Sequence, residues 1–247
     1  MSAVSAAKGG GLSGAMKTRE QHDELAQEIV GSQSESVSLQ IPVGEVTLSG
    51  DLEIPANAIG LVFFAHGSGS SRFSRRNQAV AESLRRSRLA TLLFDLLTPE
   101  EEAEEAYTRH LRFDIGLLSR RLAIVTQEIA DDPRCRNFPF GYFGASTGGA
   151  AALRAAAALG STINAVVSRG GRPDLAGDAL AYVKAPTLLI VGERDENVLR
   201  LNEQAYARLQ CVKSLAVVPH ATHLFEELGA LEEVARLAAA WFAKHLE

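Results

Sequence analysis

Ser146 sits in the middle of Gly144-Ala145-Ser146-Thr147-Gly148, between the apolar run "FPFGYFGA" and the helix-favouring run "GGAAALRAAAAL". A G-x-S-x-G sequence between a strand and a helix makes a sharp turn that lifts the serine hydroxyl above a sheet, and small neighbours let the two backbones close on each other. A hydroxyl becomes a useful nucleophile when a base takes its proton and a third group orients that base and stabilises its charge. Asp195 follows the apolar run "TLLIVGER" and is the expected acid, ahead of Asp95 and Asp174, which follow other apolar runs. The stretch "VVPHATHLFEE" offers His220 and His223. Of the two, His223 is the expected base, because it stands directly before the last helical pattern. The chain order Ser146, Asp195, His223 is the order this chemistry takes on an open α/β sheet.

A carbonyl under attack also needs donors aimed at its developing charge. The Thr147 N–H is the first expected donor. The second belongs to the loop after "GLVFFAH", where Gly67 and Gly69 permit a tight turn; Ser68 is expected there, with Gly69 next. Arginines crowd the same rim: Arg72, Arg75 and Arg76 after the first parallel strand, Arg169 and Arg172 after "INAVVS". Guanidinium forks match carboxylate and phosphate. Arg72 and Arg169, with Gly69, are therefore the expected substrate-binding residues, and an anionic substrate is expected, whereas Arg172 has Asp174 at hand as a partner. The segment "TPEEEAEEAYTRHLRFD" reads as an acidic surface stretch with no site attached. Between Arg169 and Lys184 there is no room for a large cap.

Six short apolar runs must position these residues: "GLVFFAH", "LATLLFD", "FPFGYFGA", "INAVVS", "APTLLIVG" and "SLAVVP", each followed by a helical pattern. Such runs predict a mostly parallel sheet covered on both faces, with ligands held beyond the carboxyl ends of its strands. Ahead of them "SVSLQIPVGEVTLSGDLEIP" alternates and predicts an edge hairpin joined at Pro42-Val43-Gly44. Residues 1–36, rich in Ser, Gly, Ala, Gln and Glu, read as a mobile arm in which Met16 is a second possible start; residues 37–247 read as one α/β domain. A net charge of −5 gives no general attraction to nucleic acid or anionic membrane. Two distant cysteines suggest neither a disulfide framework nor zinc, and the N-terminus lacks the apolar core of a secretory signal. The expectation is a cytoplasmic protein with a small-molecule substrate, no nucleic-acid or membrane partner, no metal and no organic cofactor, with room for a homo-oligomer. A P-loop or dinucleotide fingerprint is missing, since "HGSGSSR" lacks the G-K-[ST] ending.

"GASTGGAAA", "VGERDENV" and "ATHLFEE" resemble the nucleophile, acid and histidine loops of the dienelactone-hydrolase-like group of α/β hydrolases, over roughly residues 37–247. "HGSGSSR", "FDLLT" and "SRGGRPDLAG" are similar to bacterial hydrolases of the same kind. The resemblance implies an α/β-hydrolase fold with a central, mostly parallel sheet, helices on both faces and a minimal cap or none. It assigns Ser146 as nucleophile, Asp195 as acid and His223 as base. The namesake enzymes carry cysteine where this chain has Ser146. Hydrolysis of a carboxylic ester, lactone or thioester is the expected activity. Its competitors are acyl transfer to peroxide, as in cofactor-free perhydrolases and haloperoxidases, and a non-catalytic binding module on the same fold.

Overall fold

A computed structural model of the chain describes Met1 and residues 34–246. Most of the expected N-terminal arm therefore lies outside the described residues; the first strand already begins at Glu35. Eight strands form one sheet: β1 (Glu35–Val43), β2 (Val46–Ile54), β3 (Gly60–Ala65), β4 (Leu89–Phe94), β5 (Phe140–Ala145), β6 (Ile163–Arg169), β7 (Thr187–Gly192) and β8 (Lys213–Val218), in the order β1-β2-β4-β3-β5-β6-β7-β8. β1, β2 and β4 pair antiparallel, and every pairing from β4 through β8 is parallel. All six apolar runs are strands. The hairpin turns one residue later than the sequence suggests, on Gly44 and Glu45, with Gly44 at φ +64° and Val43 opposite Val46. Pro42 stays inside β1, where the strand's position at the sheet edge tolerates its missing N–H.

Helices α1 (Arg75–Arg86), α2 (Pro99–Thr108), α3 (Ile115–Ala130), α4 (Thr147–Leu159) and α5 (Glu196–Arg208) lie between strands, and α6 (Ala230–His245) follows β8. Alternation along β3 shows how they cover the sheet. Leu61, Phe63 and Ala65 point into a core shared with Leu118, Leu122 and Val125 of α3 and with the alanines of α4. Val62 and Phe64 point the other way, towards Val80 and Leu84 of α1 and Val234, Ala238 and Phe242 of α6. Burying each such Phe or Leu contributes about 1.5–3 kcal/mol, which is why these runs are mainly apolar on both faces, with Thr91 and Ser168 among the buried exceptions. Residues 173–182 make only a pair of 3-10 turns kinked at Gly177, so no large cap follows β6. No helix among the described residues is long and apolar enough to cross a membrane.

Candidate active site

Ser146 stands between β5 and α4 at φ +52°, ψ −120°, a backbone conformation that L-residues rarely adopt. Two glycines make that turn possible. A Cβ on Gly144 would lie 2.5 Å from the Gly148 carbonyl oxygen, and one on Gly148 would lie 2.1 Å from the Ala65 carbonyl oxygen. Strand, elbow and helix are thus packed backbone to backbone. The strain is held by bonds on both sides: Ser146 N–H donates to the Arg169 carbonyl at 3.2 Å, and its own carbonyl accepts from Gly149 and Arg172. Thr147, as the first residue of α4, has an N–H with no helical carbonyl to bond, at the positive end of the helix.

The loops after β7 and β8 are stitched together before any side chain is considered. Glu193 N–H donates to Val218 and Arg194 N–H to Ala221. Across that seam His223 Nδ1 lies 2.6 Å from Asp195 Oδ2, with the imidazole half-buried and the carboxylate mostly buried. His220 is separate: it is exposed, and its ring Nδ1 stands 3.4 Å from Glu193 Oε2. Gly170 abuts the histidine, since a Cβ there would lie 3.2 Å from the His223 carbonyl oxygen and 3.5 Å from Nδ1. Ser146 Oγ makes no hydrogen bond among the described residues.

The loop after β3 is held by His66, a residue to which the sequence attaches no role. Its Nε2 accepts the Leu96 N–H at 3.0 Å, so its Nδ1 carries the hydrogen that meets the Gly67 carbonyl at 3.0 Å. Burial keeps its pKa below the ordinary imidazole value, so the ring stays neutral and structural. Ser68 departs from the open donor expected of it, because its N–H donates to Thr147 Oγ1 at 2.9 Å. A buried hydroxyl two bonds from the Thr147 backbone is simply the nearest acceptor.

The arginines divide sharply. Arg72, expected to face substrate, is instead held by two carboxylates. Its N–H donates to Asp95 Oδ1 at 2.8 Å, its Nη1 pairs with Asp95 Oδ2, and its Nε meets Asp51 Oδ2 at 3.1 Å. Asp51 lies on β2 and Asp95 follows β4, so the antiparallel pairing of those strands brings both carboxylates to the loop after β3. Arg172 pairs bidentately with Asp174, at 2.9 and 2.7 Å. Arg169 is buried, and its Nε and Nη1 have no partner among the described residues.

The acidic segment is also more than a solvated face. Thr98 and Glu101 form a reciprocal capping box at the start of α2, and Glu101 grips Arg121 of α3 through two bonds of 2.6 Å. Glu105 is fully buried and takes bonds from Arg112 Nε at 2.5 Å and from the Leu111 N–H at 2.6 Å. Burial alone would raise its pKa, but these bonds outweigh it and the carboxyl lies below its ordinary value. The clasp brings Arg112 beside Gly69, where a Cβ would lie 3.3 Å from Arg112 Nη1. Arg112 and Glu102 line a narrow cavity with Ser68, Gly69, Leu96, Leu97 and Leu118. No local signal marks Arg112, since its place depends on a buried carboxylate one helix earlier.

The sheet order, the helices on both faces and the elbow at the head of α4 are those of an α/β hydrolase, the class that solved structures share with this chain. One of them, the crystal structure of a dienelactone hydrolase from Anabaena variabilis, is 57% identical, covers 87% of this chain and 100% of its own, and superposes with a TM-score of 0.85. The chain belongs to that dienelactone-hydrolase-like family. Est1E from Butyrivibrio proteoclasticus, 17% identical with a TM-score of 0.71 over 84% of this chain and 98% of its own, shares the fold. Two curated Mycobacterium tuberculosis proteins, from strains CDC 1551 / Oshkosh and H37Rv, both carry the name "Putative phosphoribosyl transferase". Each is 57% identical over 208 residues, 84% of this chain and 46% of its own length. The chain thus spans about half the length of the curated relatives it matches. No family model matches the chain.

Proposed function

We propose that the protein hydrolyses a carboxylic ester, lactone or thioester through an acyl-enzyme on Ser146. Ser146 Oγ attacks the carbonyl carbon while its proton passes to His223 Nε2. Asp195, bonded to Nδ1, holds the ring in the tautomer that leaves Nε2 free and stabilises the imidazolium that forms. The bond to the leaving group breaks, and that group departs with the proton from His223. Water then attacks the acyl carbon, gives its proton to His223 and releases the acid, and Ser146 recovers its hydrogen. Thr147 N–H is one donor to the oxyanion. Ser68 N–H is the second once the Thr147 hydroxyl rotates away, because the exchange replaces a neutral acceptor by a charged one and strengthens the bond.

The observation that carries this reading is the 2.6 Å contact between His223 and Asp195 on the rim that also holds the strained Ser146 elbow. Family membership supports hydrolysis, and serine in place of the namesake's cysteine favours oxygen-ester substrates of ordinary reactivity. The transferase name of the mycobacterial relatives does not extend to this chain, because more than half of each relative lies outside the match. The preference for anionic substrates is retained in the reading, with Arg169 rather than Arg72 as its support. A cytoplasmic setting is part of it too, consistent with Cys135 and Cys211 both being free thiols. The test is labelling with a fluorophosphonate, followed by turnover of matched esters, lactones and thioesters. No label on Ser146 and no turnover of any of the three would sink the proposal. Faster acyl transfer to peroxide than to water would reassign the acceptor.

A further inference from the structure

Arg169 ends β6 with its guanidinium turned inward, and it is only 7% exposed. Its Nη2 reaches Asn77 Oδ1 at a long 3.4 Å, while Nε and Nη1 are buried without a partner among the described residues. The Phe225 ring lies 5.8 Å from its Cζ. Among the described residues no carboxylate pairs with it, and the charge that acts on it is another cation, Arg76. Burial and that repulsion hold its pKa down to about 10, which still leaves it charged at neutral pH.

What surrounds this cation makes the deficit larger. Asn77 is the third residue of α1, so the guanidinium abuts the first turn of a twelve-residue helix, where amides without helical acceptors carry partial positive charge. That turn holds no acidic residue and two arginines, Arg75 and Arg76. Among the described residues Arg76 meets only the exposed Glu226, at 3.1 Å, and the cationic cluster runs from buried Arg169 out to the surface through it. Unpaired buried charge destabilises a fold unless something completes it. Here the completing group would lie next to the chemistry: the Arg169 carbonyl accepts the Ser146 N–H, and the adjacent Gly170 packs against His223.

We propose that Arg169, together with Arg76 and the free amides at the head of α1, binds an oxyanionic group of the substrate, a carboxylate or a phosphate, beside His223. This deepens the hydrolase reading and rests on it, so its test has one arm that needs no turnover. In the Ser146→Ala protein, inorganic phosphate and acetate should each be titrated while the melting temperature is followed. At least one should raise it saturably, and the rise should vanish in Ser146→Ala/Arg169→Met. The Arg169→Met protein on its own should melt no lower than the wild type, because methionine fills the site without a buried charge.

In the turnover arm, an ester carrying a carboxylate, one carrying a phosphate and their neutral isostere are compared. The favoured anionic ester should exceed the neutral one in kcat/KM by about 10-fold or more, and the ratio should fall towards one in Arg169→Met and be partly kept in Arg169→Lys. The arm that responds, phosphate or carboxylate, identifies the group. A melting temperature insensitive to both anions, or a ratio untouched by Arg169→Met, overturns the proposal. A lowered melting temperature in Arg169→Met without any anion response assigns Arg169 to the scaffold and overturns it as well. Saturable anion binding with no ester turned over would keep the site and remove the hydrolase reading.

Discussion

On the rim that carries Ser146, the acid and histidine candidates bond each other, whereas a buried cation at the end of β6 keeps two nitrogens without a partner among the described residues. Around β7 and β8, two backbone bonds tie the acid loop to the histidine loop, and Asp195 meets His223 at 2.6 Å. Around β6 and α1, Arg169 keeps two buried nitrogens without acceptors among the described residues, whereas Arg72, on the loop leading into the same helix, is held by Asp51 and Asp95. A satisfied network fixes geometry for chemistry that must be positioned in advance. An unsatisfied one stores a demand that a ligand can meet, at the expense of stability in the empty protein.

Mutations can break this contrast on either side. The largest effect belongs to the satisfied side: Ser146→Ala should lower kcat by about 10⁶-fold if the three residues act as a unit, and stopped assays with purified protein would show it. His223→Gln should cost at least about 10⁴-fold in kcat, whereas His220→Gln should stay within about 2-fold. The reverse pattern would move the base to the exposed ring beside Glu193. These two comparisons concern rate alone.

Stability sharpens the contrast further. Glu101→Gln should destabilise the fold by about 1–3 kcal/mol in urea denaturation, since Arg121 is buried and would lose its carboxylate. The Arg121 bonds hold the Glu101 pKa below its ordinary value of 4.5. A depressed folded pKa means that this contribution is complete above that value and is lost as pH falls below it towards the folded value. The wild type should therefore weaken below about pH 4.5 more steeply than Glu101→Gln. The smallest effect is Arg72→Met, expected to cost about 1–2 kcal/mol of stability and to leave the ratio of anionic to neutral ester turnover unchanged. A lost preference there would return Arg72 to the substrate and collapse the distinction from Arg169.

The parts of this molecule legible in the sequence are those set by local rules. Strand runs buried on both faces must be mainly apolar, and a strand-to-helix elbow with backbone contacts as close as those at Gly144 and Gly148 admits only glycine there. Ser146 directly trails β5 and Asp195 comes three residues after β7, so their places at the strand ends are known once the strands are, whereas His223 is preferred to the nearer His220 only by its position ahead of the last helix. Charge pairing between distant elements obeys no such rule, unlike the local Arg172–Asp174 pair. Arg72 finds Asp51 across 21 residues, Arg169 reaches Asn77 across 92 and Arg76 meets Glu226 across 150. Likewise the Thr147 hydroxyl meets the Ser68 amide across 79 residues, and Arg112 comes beside Gly69 only because Glu105 is buried. Sequence alone thus determined the sheet, the elbow and the order of the triad candidates, all written in patterns of a few residues. Which arginine is neutralised, and which donor is already occupied, was decided only by the tertiary structure, because a guanidinium or an amide takes whichever acceptor the packing of distant elements brings within about 3 Å.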